Sequence, residues 1–204
     1  MMREGIFVKE YSEIEINRAE ILRYAGVKRD ISDYDTLLDE CIKEASDKLR
    51  YSVCYREFPL KISGETLDLC FAEIKSKSLK KNLCGCNRFL LFAATVGIEL
   101  DRLINKYSRT EPSRALIFQA FGAERIESLC DAFCSDLEKE MALQNCSTRP
   151  RYSAGYGDFP VEIQSDICKA LDCSKKIGVF VNESLLLSPS KSVTAIVGIE
   201  SKLY

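Results

Sequence analysis

Phe89-Leu90-Leu91-Phe92-Ala93-Ala94-Thr95-Val96-Gly97 contains the longest largely apolar stretch of the chain. It is far shorter than the ~20 apolar residues that span a bilayer. Its length suits a strand buried on both faces, where alternation between polar and apolar residues disappears. After Gly97 the pattern changes. Leu100, Leu103, Ile104 and Tyr107 recur at helical spacing, so a central strand runs into a helix.

Downstream, Pro112 occupies the first-turn position that helices tolerate best. Leu116, Ala120, Ala123, Ile126, Leu129, Cys130, Phe133, Leu137 and Met141 form one stripe of the longest predicted helix. Glu124, Glu127, Asp131 and Glu138 fall on its polar side. Residues 145–150 read as a loop, and Pro160 as the start of a helix through Ile163, Ile167, Ala170 and Leu171. Two apolar runs, 185–187 and 193–199, are joined by Ser188-Pro189-Ser190-Lys191 in the manner of a hairpin.

Upstream, Glu13-Ile14-Glu15-Ile16 alternates as a short strand would. Asn17 with Glu20 reads as a capping box, and Gly26 as the stop of that helix. A second helix starts at Asp33 and carries Leu37, Leu38, Cys41, Ile42 and Ala45. Residues 51–58 and 67–71 complete the predicted strands. Strands and helices mix without strict alternation. The expectation is one α+β domain over residues 1–204, with a mixed, largely antiparallel twisted sheet flanked by helices.

Composition removes whole classes of chemistry. The 204 residues include no histidine, so no Ser-His-Asp triad, Cys-His dyad or HExxH zinc site exists here. The net charge of −2 lacks the cationic field that coats nucleic acid. The charged N-terminal segment and the absence of a long apolar run predict a cytoplasmic chain with no membrane span. Ten cysteines are present without a CxxC motif; Cys84-Gly85-Cys86 is the one tight pair, and Cys130 and Cys134 share a helix face. Soft metals and clusters want four close thiolates, so the expectation is reduced thiols acting as small buried hydrophobes and no metal site.

The segment with most chemistry in it is Arg151-Tyr152-Ser153-Ala154-Gly155-Tyr156-Gly157-Asp158-Phe159-Pro160. Two glycines flank a tyrosine, so backbone can approach a ligand closely. Arg151 can grip a carboxylate through two parallel bonds, and Tyr156 offers a flat face and a hydroxyl. The plain alternative is a glycine-rich turn beside a solvated arginine.

Arg151-x-x-x-Gly155-Tyr156 resembles the RxxxGY signature of the activation domain of cobalamin-dependent methionine synthase. Glu183-Ser184, Pro189 and Ser192-Val193 resemble that family's next block in the same order, and 93–97, 115–124 and Gln164 resemble its short free-standing relatives. The resemblance covers about residues 13–199. It implies S-adenosylmethionine binding, with Arg151 on the ligand carboxylate and Ser153, Ala154, Gly155 and Tyr156 along the adenosine and sulfonium region. It also implies that Asp131, in Asp131-Ala132-Phe133, contacts the ligand ammonium where the family has a glutamate; the alternative for Asp131 is a solvated helix face. The family also has a late tyrosine beyond its hairpin; Tyr204 is the nearest counterpart here and is not carried over as a site residue. Glu183 reads more simply as a surface acid paired with Lys175 or Lys176.

In that family an electron reduces cob(II)alamin and S-adenosylmethionine methylates the product. No proton moves, so a chain without histidine suits the role. No corrinoid-binding motif is present, so the cobalamin is expected on a partner: a methionine synthase or related corrinoid methyltransferase reactivated in trans, with a flavodoxin-type electron donor. A second reading, motivated by the short stretch after the last strand, is a non-catalytic corrinoid-protein interaction module that has lost S-adenosylmethionine binding. A third is a thiol-based redox or cluster protein.

Overall fold

The computed structural model describes residues 5–27 and 32–201. The apolar stretch around Phe92 is the middle strand of a five-stranded antiparallel sheet. In chain order the sheet strands are β1 (Phe7–Tyr11), β2 (Tyr51–Pro59), β6 (Arg88–Thr95), β7 (Cys146–Thr148) and β10 (Ser192–Ser201). Their spatial order is β1-β2-β6-β10-β7. Tyr55 faces Phe92 across β2 and β6, and Ile196 faces Leu91 across β6 and β10.

Successive strand residues point to opposite faces, and both faces of β6 are covered. Leu90, Phe92 and Ala94 enter one core with Ala195, Val197 and Ile199 of β10. That core lies under α1 (Arg18–Tyr24), α2 (Ser32–Ala45), α4 (Glu99–Tyr107) and α5 (Pro112–Leu143). Phe89, Leu91, Ala93 and Ile196 enter the second core. It is closed by a small sheet of β3 (Lys61–Ser63), β4 (Thr66–Asp68) and β5 (Glu73–Lys75), and by α3 (Lys77–Asn82), α6 (Gln164–Ala170) and α7 (Cys173–Ile177). Each fully buried Leu or Phe contributes about 1.5–3 kcal/mol, so this double coverage explains the unbroken apolar run.

Several expectations need correction. Residues 13–16 are not a strand; the edge strand is β1, just upstream. The carbonyls of Ile14 and Glu15 are instead taken by the Arg125 guanidinium, at 2.7 and 2.5 Å. Asn17 does cap α1, but Glu20 turns to Arg23, and the Asn17 amide donates to Glu124 of α5 at 3.0 Å. Glu124, expected on the polar face, is 2% exposed beside the fully buried Arg125, and Leu116, expected in the stripe, is 48% exposed. The 67–71 strand shrinks to β4 because Cys70 takes a left-handed turn. The 145–150 loop contains the edge strand β7.

The tail is not a hairpin. The segment before Pro189 contributes β9 (Leu187–Ser188), which pairs with β8 (Phe180–Val181), while β10 pairs with β6 and β7. Asp101 of α4 accepts from both the amide and hydroxyl of Ser190, and so separates the two runs. Lys175 pairs with Asp172 rather than Glu183.

Candidate functional site

Residues 151–160 form a pinned loop. Tyr152 exchanges backbone bonds with Ile196 of β10 at 2.8 and 2.9 Å. The Gly155 amide donates to the Phe159 carbonyl at 2.9 Å, and Phe159 itself is sealed in the second core. The Asp158 carboxylate accepts from the Ser76 hydroxyl at 2.6 Å and from the Lys77 and Ser78 amides at 2.7 and 3.0 Å, at the start of α3. These bonds, the Ser76 hydroxyl first, hold the Asp158 carboxyl well below the usual carboxylate range. With both flanks fastened, Tyr156 projects from the tip, 68% exposed.

The two glycines serve different ends. A Cβ on Gly157 would lie 2.7 Å from the Ser78 hydroxyl and 2.7 Å from the Tyr152 hydroxyl, so this glycine lets the loop sit against α3. Gly155 needs glycine for its φ of +89°, and a Cβ there would meet nothing closer than Val161 at 3.9 Å. The close approach expected for a ligand at Gly157 is made by protein instead.

A cavity of about 450 Å³ opens beside the loop, within the range of small-molecule sites. Arg151, Tyr152, Ser153, Ala154 and Tyr156 form one wall. Glu127 of α5, Gln164 of α6, Leu187 of β9 and Ser192, Val193 and Thr194 of β10 form the rest. Gly155 is the turn between the lining residues Ala154 and Tyr156. Asp131 does not line this cavity. It borders a neighbouring cleft of about 650 Å³ with Cys134, Arg149 and Arg151.

Arg151 links the two clefts. It donates to Glu127 Oε2 at 2.6 Å and to an Asp131 carboxylate oxygen, with its side chain 26% exposed. Burial works to lower the Arg151 pKa, but the bond to Asp131 and the nearby carboxylates outweigh it and raise it. One guanidinium between two carboxylates leaves a net negative charge, which favours a ligand with a cationic part. A guanidinium has five N–H donors, so these two partners do not exhaust it. Gln164 Oε1 is buried with no protein partner, an acceptor on the cavity side of α6.

Arg151, Ser153, Ala154 and Tyr156 are therefore brought together, with Gly155 between them and Asp131 one step outside. Glu127 is the acid on the wall, a residue the sequence reading left on the polar face without selecting. Its signal was the spacing to Asp131, four residues on and so on the same helix face. Leu187 and the start of β10 carried no chemical signal. Tyr204 lies outside the described residues. Among the described residues no group of three or more His, Cys, Asp or Glu is placed to hold a metal, and no helix is long and apolar enough to cross a membrane.

No protein-family model matches the chain, and no curated protein matches it in sequence. Among solved structures it is similar to the crystal structure of the MetH reactivation domain bound to AdoHcy. The match has a TM-score of 0.68 at 14% identity, covering 99% of this chain and 80% of that one. The shared property is the fold: mixed helix and strand around a curled antiparallel sheet.

Proposed function

We propose that the chain binds S-adenosylmethionine in the cavity between the 151–156 loop and α5. In this reading it is a stand-alone reactivation module for a cobalamin-dependent methionine synthase or related corrinoid methyltransferase, which holds the cobalamin. The observation that carries the reading is a charged, ligand-sized cavity beside the RxxxGY loop, on the fold of an AdoHcy-bound reactivation domain.

The residues present fit such a ligand. Arg151 has donors left for a carboxylate, and Glu127 offers an acid to an ammonium. Gln164 Oε1 is an acceptor short of a donor, which an amine or hydroxyl of the nucleoside part would satisfy. The exposed Tyr156 ring gives a cationic sulfur a π face. Bound S-adenosylmethionine supplies an electrophilic methyl on a positive sulfur. The chain's part is to bind and orient it with the methyl toward the open side, where no base or side-chain nucleophile is needed. The electron comes from a separate donor of flavodoxin type. A cytoplasmic setting, where thiols stay reduced, belongs to this reading.

One observation favours the second reading, a corrinoid-protein interaction module without S-adenosylmethionine binding: Arg151 already has two carboxylate partners inside the protein. A reactivation assay separates the two. A corrinoid methyltransferase in the cob(II) state, a reductant and methyl-labelled S-adenosylmethionine are combined with and without this chain. The proposal expects label on cobalt only when the chain is present. Equal labelling without it contradicts the proposal.

A further inference from the structure

We propose that Gln164 reads the 6-amino group of the ligand's adenine and so makes the cavity specific for an adenine nucleoside over other purines. The inference rests on the S-adenosylmethionine reading and names the residue that selects the base.

Gln164 is the first residue of α6. Ile163 and Ile167, on either side of it in the chain, are buried in the second core. The helix therefore cannot turn without opening that core, and Gln164 is held where it forms part of the cavity wall. Its Oε1 is shut off from water and has no hydrogen-bond partner among the described residues. An acceptor buried in this way has given up its bonds to water and gained none in exchange. Buried polar groups are overwhelmingly paired, so this oxygen marks where a ligand donor belongs.

The fold says which donor. Glu127 lies on α5, which packs on one face of the large sheet, and Gln164 lies on α6, which packs on the other. Ser192, Val193 and Thr194 belong to β10, a strand of the sheet that separates the two layers. A ligand with its amino-acid group at Arg151 and Glu127 thus sends its other end toward α6. In S-adenosylmethionine the two ends are the amino acid and the adenine, with the ribose midway.

Adenine is joined to the ribose through N9, which leaves the 6-amino group as its one N–H donor. That group is what a lone acceptor at the far end can recognise. The ring nitrogens flanking the amine are acceptors, so the carboxamide NH2 of Gln164 finds a partner on the same edge. Glutamine and asparagine pair with adenine in this two-point manner. Hypoxanthine and guanine carry a 6-oxo group at that position, an acceptor set against Oε1, and leave the buried oxygen unpaired there.

The test is calorimetric titration of the full chain with S-adenosylhomocysteine and with its analogue carrying hydrogen in place of the 6-amino group. The wild type is expected to favour the amino compound by about tenfold or more. Gln164→Met, of similar size but without the amide, is expected to bind the two compounds within about threefold of each other. Equal affinity of the wild type for both compounds, or a preference that Gln164→Met retains in full, overturns the inference and leaves the S-adenosylmethionine reading in place. Binding of neither compound by the folded wild type overturns both. The wild-type comparison needs no variant, so it decides the matter even if Gln164→Met fails to fold.

Discussion

Arg151 Nη2 donates to Glu127 Oε2 at 2.6 Å, and with the bond from the same guanidinium to Asp131 this joins the glycine-containing loop to the longest helix. The loop and α5 then form facing walls of a cavity that neither makes alone. The same bond sets the charge of the site, because a second carboxylate, Asp131, engages the other side of the guanidinium. Any anionic group of a ligand must share the fork with Glu127, while a cationic group finds unneutralised negative charge.

Glu127 and Asp131 are expected to separate in a binding assay. Glu127→Gln removes a charge from the cavity wall, where a hydrogen bond to a charged group is worth about 1.5–3 kcal/mol. Its affinity for S-adenosylhomocysteine should fall by about tenfold or more. Asp131→Asn acts from the neighbouring cleft and should change affinity by less than about threefold. Calorimetric titration of both variants checks this; a larger effect at Asp131 restores the assignment made from its Asp-Ala-Phe context.

The Glu124–Arg125 pair is expected to be a structural keystone of the helical layer. Arg125 bonds to Glu124 at 2.5 Å and to two main-chain carbonyls, and neither side chain reaches solvent appreciably. Glu124→Ala strands a buried cation and the Asn17 amide together, at a cost of about 3–5 kcal/mol. Glu20→Ala, which removes a surface acid paired with Arg23, should leave the denaturation midpoint close to that of the wild type. Chemical denaturation followed by circular dichroism compares them.

Asp158 gives the loop a pH-dependent anchor. Its folded-state pKa lies below the ordinary 3.8. Its contribution is therefore complete above that value and is lost as pH falls through the lower, folded-state pKa. Asp158→Asn should melt at a lower temperature than the wild type at neutral pH, with the gap closing in acid below pH 3.8. A gap that stays constant in acid contradicts this anchoring.

The central strand and the long helix were legible because each obeys one local rule. Residues 89–94 are apolar throughout since both sheet faces are covered, and Pro112 marks the helix start it occupies. What escaped reading depends on distant partners. Arg125 takes the carbonyls of Ile14 and Glu15 and so cancels a strand that alternation predicts. Asp101 holds Ser190 and so turns a predicted hairpin into two separate pairings. At the site, the loop residues were legible from glycine, tyrosine and arginine in sequence. Which of two acids on one helix face borders the cavity depended on where the loop is pinned, by Asp158 on α3 and Tyr152 on β10.

The most direct measurement is calorimetric titration of the full chain with S-adenosylhomocysteine, alongside Arg151→Ala. The account predicts one-to-one binding by the wild type. It predicts a loss of about 2–5 kcal/mol in the variant, roughly thirtyfold or more in affinity, with an unchanged circular dichroism spectrum. Absence of binding by the folded wild type, or equal affinity in Arg151→Ala, would contradict it.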